Sequence, residues 1–140
     1  MKISDLYKIF NNHPNVTTDT RNIKENSIFF ALKGDNFNGN KFARKAIKDG
    51  CHYAIIDQAE FQLNEKYILV DDVLKCLQNL ATYHRDQIMI PVIGITGTNG
   101  KTTSKELIYS CLSTELNTLA TDGNYNNHIG VPLTLLRANK

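Results

Sequence analysis

Residues 96–103 read Thr-Gly-Thr-Asn-Gly-Lys-Thr-Thr, between an apolar segment of β character at 91–95 and a segment of helical spacing that runs past Leu112. Strand, glycine turn and helix in this order predict an α/β fold. Backbone N–H groups of such a loop and of the following helix end form a concave site for nucleotide phosphates. We therefore predict a phosphate-binding loop that comprises Gly97, Thr98, Asn99, Gly100, Lys101, Thr102 and Thr103.

The loop departs from the strict P-loop pattern, whose first glycine would stand at Ile95. Instead, Gly94 and Gly97 precede Gly100-Lys101. A plain glycine turn with a surface lysine is the alternative interpretation. The coincidence of glycines, lysine and hydroxyl in one loop favours phosphate binding.

The composition bounds the class of protein. The chain has 140 residues, 41% of them hydrophobic, with a net charge of +2. This length favours one domain, although the pattern indicates one small domain and the beginning of a second. So small an excess of basic residues does not predict binding to nucleic acid or to an anionic membrane.

The cysteines and the N-terminus indicate a compartment. Cys51, Cys76 and Cys111 form neither a CxxC pair nor a zinc-ligand spacing, which favours reduced thiols. The sequence shows no signal-peptide core and no apolar run of membrane-spanning length. We expect a cytoplasmic protein without membrane insertion.

Strands and helices alternate in residues 1–87, which we assign to a first domain. Ser4 is predicted to cap a short first helix, and Gly50 to stop a helix that contains Phe42 and Ala46. We expect Phe29, Phe30 and Phe42 to lie in the core rather than to stack on a base. Apolar runs predict strands at 27–32, 51–56 and 67–70, whereas 33–40 is expected to be a loop.

A longer helix closes this domain, and residues 88–140 begin the second. Asp71 or Asp72 is predicted to cap the long helix, with His84 packed on its apolar face. The second domain should contain strands at 91–95 and 116–121, the phosphate loop, and helices after it and near Pro132. A single strand–helix–strand unit cannot cover both faces of a parallel sheet, so we expect 88–140 to be a truncated domain.

Three blocks of the sequence resemble the Mur ligases. They are Thr-Asp-Thr-Arg at 18–21 with the run 28–39 and Phe42, the phosphate loop, and Gly-Asn-Tyr-Asn-Asn-His-Ile-Gly-Val-Pro at 123–132. The resemblance implies a small α/β domain, residues 1–87, that binds UDP-N-acetylmuramoyl-peptide. It also implies that 88–140 begin a parallel-sheet, P-loop-type ATP-binding domain. The last block is similar to that of the family member that adds D-alanyl-D-alanine.

The resemblance also implies which residues bind substrate. Those nearest the uridine nucleotide would be Thr18, Asp19, Thr20, Arg21, Lys33, Gly34 and Gly39. The planar guanidinium of Arg21 could donate two hydrogen bonds to phosphate oxygens. Alternatively, Asp19 and Arg21 could simply tie down a turn.

At the ATP end, Lys101 and Thr102 would be catalytic. Lys101 would neutralise charge that develops during phosphoryl transfer, and the Thr102 hydroxyl would bind Mg²⁺. The family also places Asn126, Asn127 and His128 beside the phosphates. Relatives often carry an acidic residue where this chain has His128, and an imidazole does not supply the charge of a carboxylate.

The reaction implied is ATP-dependent amide-bond formation by a monomeric full-length enzyme. The carboxylate of UDP-N-acetylmuramoyl-tripeptide would attack the γ-phosphate, and the amine of D-alanyl-D-alanine would then attack the acyl phosphate. We expect the present chain alone to be inactive. Two alternatives stay open: the sister Mur ligase that adds the third stem-peptide residue, and a non-catalytic uridine-nucleotide-binding module.

Overall fold

A four-stranded parallel sheet organises the first part of the computed structural model, which describes residues 1–123 and 125–139. The helices are α1 Ile3–Asn12, α2 Ala43–Lys48, α3 Val73–Ile88, α4 Lys101–Leu112 and α5 Gly130–Leu135. The strands are β1 Val16–Thr17, β2 Ser27–Phe30, β3 Lys33–Gly34, β4 Phe37–Asn38, β5 Cys51–Ile56 and β6 Tyr67–Leu69. Short 3₁₀ turns span Gly39–Phe42 and Ala59–Phe61.

Helices cover both faces of the sheet, whose strand order is β1-β2-β5-β6. Successive side chains of a strand point to opposite faces. Ile28 and Phe30 therefore join one core, and Phe29 joins the other. Burial on both faces is usual for a parallel sheet. The predicted α/β fold with a parallel sheet is confirmed.

The larger core lies under α1, α3 and α5. Leu6 and Phe10 of α1 pack there with Leu77 and Leu80 of α3, and Leu136 closes it just after α5. The smaller core lies under α2 and consists of Phe29, Ala31, Ala43, Ala46, Cys51, Ala54, Ile56 and Tyr67.

The helix ends test two of the predicted caps. The Asp72 side chain accepts a hydrogen bond from the Lys75 N–H at 2.9 Å, so the cap of α3 is confirmed. The Ser4 cap is wrong, because α1 begins at Ile3 and no side chain caps it.

The predicted loop at 33–40 contains a small hairpin. Strands β3 and β4 pair antiparallel, with Lys33 opposite Asn38 and Gly34 opposite Phe37. The ring of Phe42, which the sequence places in the core, is 37% exposed and stacks on Phe37 with ring centroids 5.3 Å apart. The loop prediction was therefore incomplete, and the assignment of Phe42 to the core was wrong.

The described residues do not form the two strands predicted in the second part of the chain. Neither 91–95 nor 116–121 pairs with another segment of the described chain, and Val92 and Ile93 are more than half exposed. A strand requires hydrogen bonds to a neighbouring strand. Without such a neighbour, these two apolar runs form no strand in the described part of the chain.

Both helices predicted for this part are present. α4 begins at Lys101, but none of its residues is buried, and Leu107 is 67% exposed. α5 contains Pro132 in its first turn and packs against α3. Over the ranges that the structure describes, no helix is both long enough and apolar enough to cross a bilayer.

Candidate phosphate-loop and substrate sites

Two glycines give the phosphate loop its shape. Gly97 has φ +147° and Gly100 has φ +79°, values that side-chain-bearing residues rarely adopt. Gly100 is also the N-cap of α4, and no side chain of residues 1–123 or 125–139 caps this helix. The first-turn N–H groups of α4 thus lack a side-chain acceptor and, with the helix dipole, favour an anion at this end.

Lys101 places a positive charge inside the bend. Its ammonium donates hydrogen bonds to the Gly97 carbonyl and, at 3.3 Å, to the Thr98 carbonyl. Phosphate oxygens form stronger, charge-assisted hydrogen bonds with an ammonium group than carbonyls do. An incoming phosphate could therefore draw this side chain away from its own loop.

Thr102 supplies a hydroxyl in the first turn of α4. Mg²⁺ binds oxygen ligands and usually keeps several waters and phosphate oxygens in its coordination shell. Among the described residues, no three His, Cys, Asp or Glu side chains form a cluster that could hold a metal. Of the predicted loop residues, Thr102 is the one expected to bind such an ion, through its hydroxyl.

The 126–128 segment leads into α5. The Asn127 side chain accepts hydrogen bonds from the backbone N–H groups of Ile129, at 3.0 Å, and Gly130, at 2.8 Å. The backbone carbonyl of His128 accepts a hydrogen bond from Gln78 at 3.0 Å. Asn126, Asn127 and His128 are all exposed. Asn124, which belongs to the same sequence block, lies outside the described residues.

The turn at 18–21 is held by an ion pair. The Arg21 guanidinium contacts both carboxylate oxygens of Asp19, with Nη2 to Oδ2 at 2.6 Å, and the Arg21 N–H donates to Oδ1 at 2.9 Å. Hydrogen bonds from the Arg21 side chain and backbone lower the pKa of Asp19 from 3.8 to about 2. This geometry is the turn-stabilising alternative, while the Arg21 side chain as a whole remains 89% exposed. Thr18 and Thr20 are half-buried beside it.

The residues predicted at 33–39 lie next to a buried polar network. The Lys33 ammonium is 2.9 Å from the Asp57 carboxylate. Asn40 is fully buried, and its side-chain amide donates hydrogen bonds to the side chains of Asp57 and Asn38, each at 2.9 Å. Gly39 lies so close to the chain that a Cβ would be 2.4 Å from the Leu32 carbonyl oxygen, whereas a Cβ on Gly34 would meet nothing within 4 Å.

The predicted residues thus form four separate groups. They are the turn 18–21, the hairpin 33–39, the phosphate loop 97–103 and the segment 126–128. In the part of the chain that the structure describes, no hydrogen bond or ion pair joins one group to another. A substrate that touched two groups would have to bridge them.

Sequence reasoning missed the polar network around Asn40. Asn38, Asp57 and Gln58 belong to it, and the Asn38 side chain donates to Gln58 at 2.7 Å. One available signal was the position of Asp57, a charged residue directly after the buried strand β5. Polar residues at the carboxyl ends of parallel strands commonly line ligand sites.

Sequence profiles of known families match most of the chain. The profile described as "Mur ligase family, catalytic domain" matches residues 14–85, and "Mur ligase middle domain" matches residues 95–140. Three curated relatives carry the name UDP-N-acetylmuramoyl-tripeptide--D-alanyl-D-alanine ligase. The Bacillus subtilis protein is 42% identical over 86% of this chain, that of Synechocystis 43% over 87%, and that of Escherichia coli 41% over 87%.

Solved structures match as well. MurF ligase from Thermotoga maritima in complex with ADP has a TM-score of 0.81 and 29% identity, over 100% of this chain and 31% of that one. MurF from Acinetobacter baumannii has a TM-score of 0.80 and 36% identity, over 89% of this chain and 28% of that one. The chain spans about 27% of the length of the three curated relatives.

Proposed function

The chain belongs to the Mur ligase family, and from this premise we propose that it carries the uridine-nucleotide end and the phosphate loop of an ATP-dependent ligase. The full-length protein would join D-alanyl-D-alanine to UDP-N-acetylmuramoyl-tripeptide in peptidoglycan precursor synthesis. The relatives named for this reaction support the assignment, each at 41–43% identity.

One observation carries the proposal: the loop at 97–103 presents an uncapped helix end and an ammonium group to the same bend. Two glycines with positive φ shape that bend. Amide dipoles and a positive charge in one concave turn suit a triphosphate better than any neutral ligand.

Lys101 and Thr102 would act in the first chemical step. The substrate carboxylate attacks the γ-phosphate, which creates a mixed anhydride and releases ADP. Catalysis of phosphoryl transfer depends on positioning and on neutralising charge. The Lys101 ammonium would move from the loop carbonyls to phosphate oxygens, and the Thr102 hydroxyl would help to hold Mg²⁺, which neutralises phosphate charge when bound.

The uridine nucleotide would bind in a first domain, residues 1–87, and ATP at the start of a second, residues 88–140. Arg21 offers its exposed edge to a diphosphate without losing its contact with Asp19. The hairpin residues Lys33 and Gly34 are exposed and could contact the same ligand. We further propose that the full-length enzyme works as a monomer in the cytoplasm, where its nucleotide substrates would be found.

Titration with Mg-ATP tests the proposal. We expect the wild-type chain to bind Mg-ATP in isothermal titration calorimetry, and Lys101→Ala to weaken binding at least about tenfold, because it removes the charge within the bend. Lys48→Ala, on the exposed side of α2, is the matched control and should bind as wild type does. Equal affinities for the Lys101 and Lys48 variants would refute a working phosphate loop.

One measurement and one sequence feature separate the alternatives. Binding of a UDP-sugar without binding of Mg-ATP would identify the chain as a uridine-nucleotide-binding module. The sister ligase, which adds the third stem-peptide residue, should lack the block at 126–132, and the relatives named above favour the D-alanyl-D-alanine ligase. We expect no ADP release dependent on D-alanyl-D-alanine from the 140-residue chain, in which the apolar side of α4 is uncovered.

A further inference from the structure

Two side chains of α3 hold the backbone on either side of α5. The Gln78 amide donates to the His128 carbonyl at 3.0 Å, before the helix. The His84 Nε2 atom is 2.8 Å from the Ala138 carbonyl, after it. Between these anchors, Leu136 is buried in the core that α3 shares with α1. Helix α3 therefore holds both ends of the segment 128–138.

Chemistry defines the role of each ring nitrogen of His84. A backbone carbonyl only accepts hydrogen bonds, so Nε2 must carry the proton that is donated to Ala138. In a neutral ring, Nδ1 is then left to accept from the Tyr7 hydroxyl, at 3.3 Å. His84 is 7% exposed, and its ring meets that of Phe10 edge-on with centroids 5.1 Å apart. His84 thus links α1, α3 and the residues that follow α5.

A further hydrogen bond joins α4 to the chain that precedes residues 126–128. The Lys105 ammonium, on the helix that follows the phosphate loop, donates to the Thr121 carbonyl at 2.8 Å. The next residue, Asp122, forms an ion pair with Arg137, just after α5. Thr121, which precedes residues 126–128, is therefore bonded to α4, and His128 is bonded to α3.

We infer that Gln78 and His84 are positioning residues. By bonding the backbone before and after α5, they would let α3 hold residues 126–128 in place for nucleotide binding. The inference rests on the proposed function, because it takes the phosphate loop to bind Mg-ATP and residues 126–128 to lie beside its phosphates, as the family resemblance implies. In this inference, α3, which packs on the sheet of the proposed uridine-nucleotide domain (residues 1–87), also fixes the position of residues 126–128 at the proposed ATP site. Neither Gln78 nor His84 need touch either ligand.

Isosteric variants test the two anchors. Gln78→Glu keeps the shape of the side chain but, near pH 7.5, opposes a carboxylate oxygen to the His128 carbonyl. The amide nitrogen of His84→Gln reaches the position of Nε2, whereas that of His84→Asn reaches only the position of Nδ1. The matched control is Gln62→Glu. It removes a similar hydrogen bond, from Gln62 Nε2 to the Tyr67 carbonyl at 3.2 Å, which is far in sequence from residues 126–128.

The readouts are Mg-ATP affinity and backbone amide exchange, both on the whole chain. We expect Gln78→Glu and His84→Asn to weaken Mg-ATP binding five- to tenfold and to speed exchange at Gly130 and Val131. Exchange at Phe29 and Ala54 in the sheet should be unchanged, which shows that the variants fold. His84→Gln and Gln62→Glu should bind Mg-ATP as the wild type does.

Three results would overturn the inference. Faster exchange at Gly130 with unchanged Mg-ATP affinity would show that α3 holds α5 without positioning the nucleotide end. Equal loss of affinity in His84→Gln and His84→Asn would show that packing of the ring matters rather than the bond to Ala138. A wild-type chain that does not bind Mg-ATP would instead overturn the proposed function, and the inference with it.

Discussion

The Lys33 ammonium lies 2.9 Å from the Asp57 carboxylate, whose side chain is only 6% exposed. A buried carboxylate needs compensating hydrogen bonds as well as a counter-charge. Asn40 supplies one of them, from its amide to Asp57 Oδ1 at 2.9 Å, and it also accepts from the Asp57 N–H at 3.1 Å. The network thereby joins the 33–40 hairpin to the carboxyl end of β5.

Asn40→Ala should be strongly destabilising. It would leave the Asp57 carboxylate and N–H without their amide partner inside the protein, and unsatisfied buried groups cost about 1–3 kcal/mol each. We expect a loss of about 2–4 kcal/mol in the free energy of unfolding by urea. Asn36→Ala, on the exposed tip of the same hairpin, is the control and should change stability by less than about 0.5 kcal/mol. Similar losses in both variants would argue against a structural role for the network.

Gly39→Ala tests the close approach of two chain segments. Its Cβ would be 2.4 Å from the Leu32 carbonyl oxygen, so backbone would have to move. Such overpacking costs about 1–3 kcal/mol, measurable as a lower urea midpoint. Gly34→Ala has open space around the new methyl group and should fold with wild-type stability. If Gly39→Ala were equally stable, the 33–40 segment would have to pack differently from the structure.

Short-range sequence patterns predict most of the helices and strands in residues 1–88. The helix α3 is 16 residues long, with its cap at Asp72 and an apolar face that includes Leu77 and Leu80, so its own sequence defines it. The strands β2 and β5 lie in short apolar runs; the run that contains β2 ends before Lys33, and Asp57 follows β5 directly. The spacing of apolar residues and the capping of helices depend on residues that are close in sequence. Both can therefore be recognised from the sequence alone.

Contacts distant in sequence explain what could not be predicted. Asn40 meets Asp57 across 17 positions, and nothing local distinguishes it from the exposed Asn36. The segment 91–95 has the composition of a strand, but among the described residues no neighbouring strand pairs with it. At the candidate site, the sequence predicts the phosphate loop, because glycines and Lys101 act locally. The link from Gln78 to His128 spans 50 positions and required the structure.

The Asp19 carboxylate should titrate well below an ordinary aspartate. Side-chain and backbone hydrogen bonds from Arg21 lower its pKa from 3.8 to about 2. The folded state therefore holds the ionised form more tightly, and this contribution to stability is present above pH 3.8 and lost as the pH falls towards 2. An NMR titration of the Asp19 carboxyl carbon should give a midpoint near 2, which Arg21→Ala should raise towards 3.8. A midpoint near 3.8 in the wild type would mean that the ion pair is not formed in solution.

The three thiols should react in a definite order, because their surroundings differ. Cys111 is exposed on α4, whereas Cys51 is buried and Cys76 is partly buried. Burial raises the pKa of Cys51 and raises that of Cys76 to about 11, and only thiolates react quickly with alkylating reagents. With iodoacetamide at pH 8, peptide mapping should show Cys111 modified at least about tenfold faster than the other two.

Two controls make the thiol order a test of the fold. In urea all three cysteines should react at similar rates, since the differences arise from burial in the folded chain. In Cys111→Ser, fast modification should disappear while slow modification of Cys51 and Cys76 persists. Rapid reaction of Cys76 in the native chain would contradict its position on α3 against the larger core, where α5 also packs. The same reaction therefore reports whether α3 and its partner helices remain together in solution.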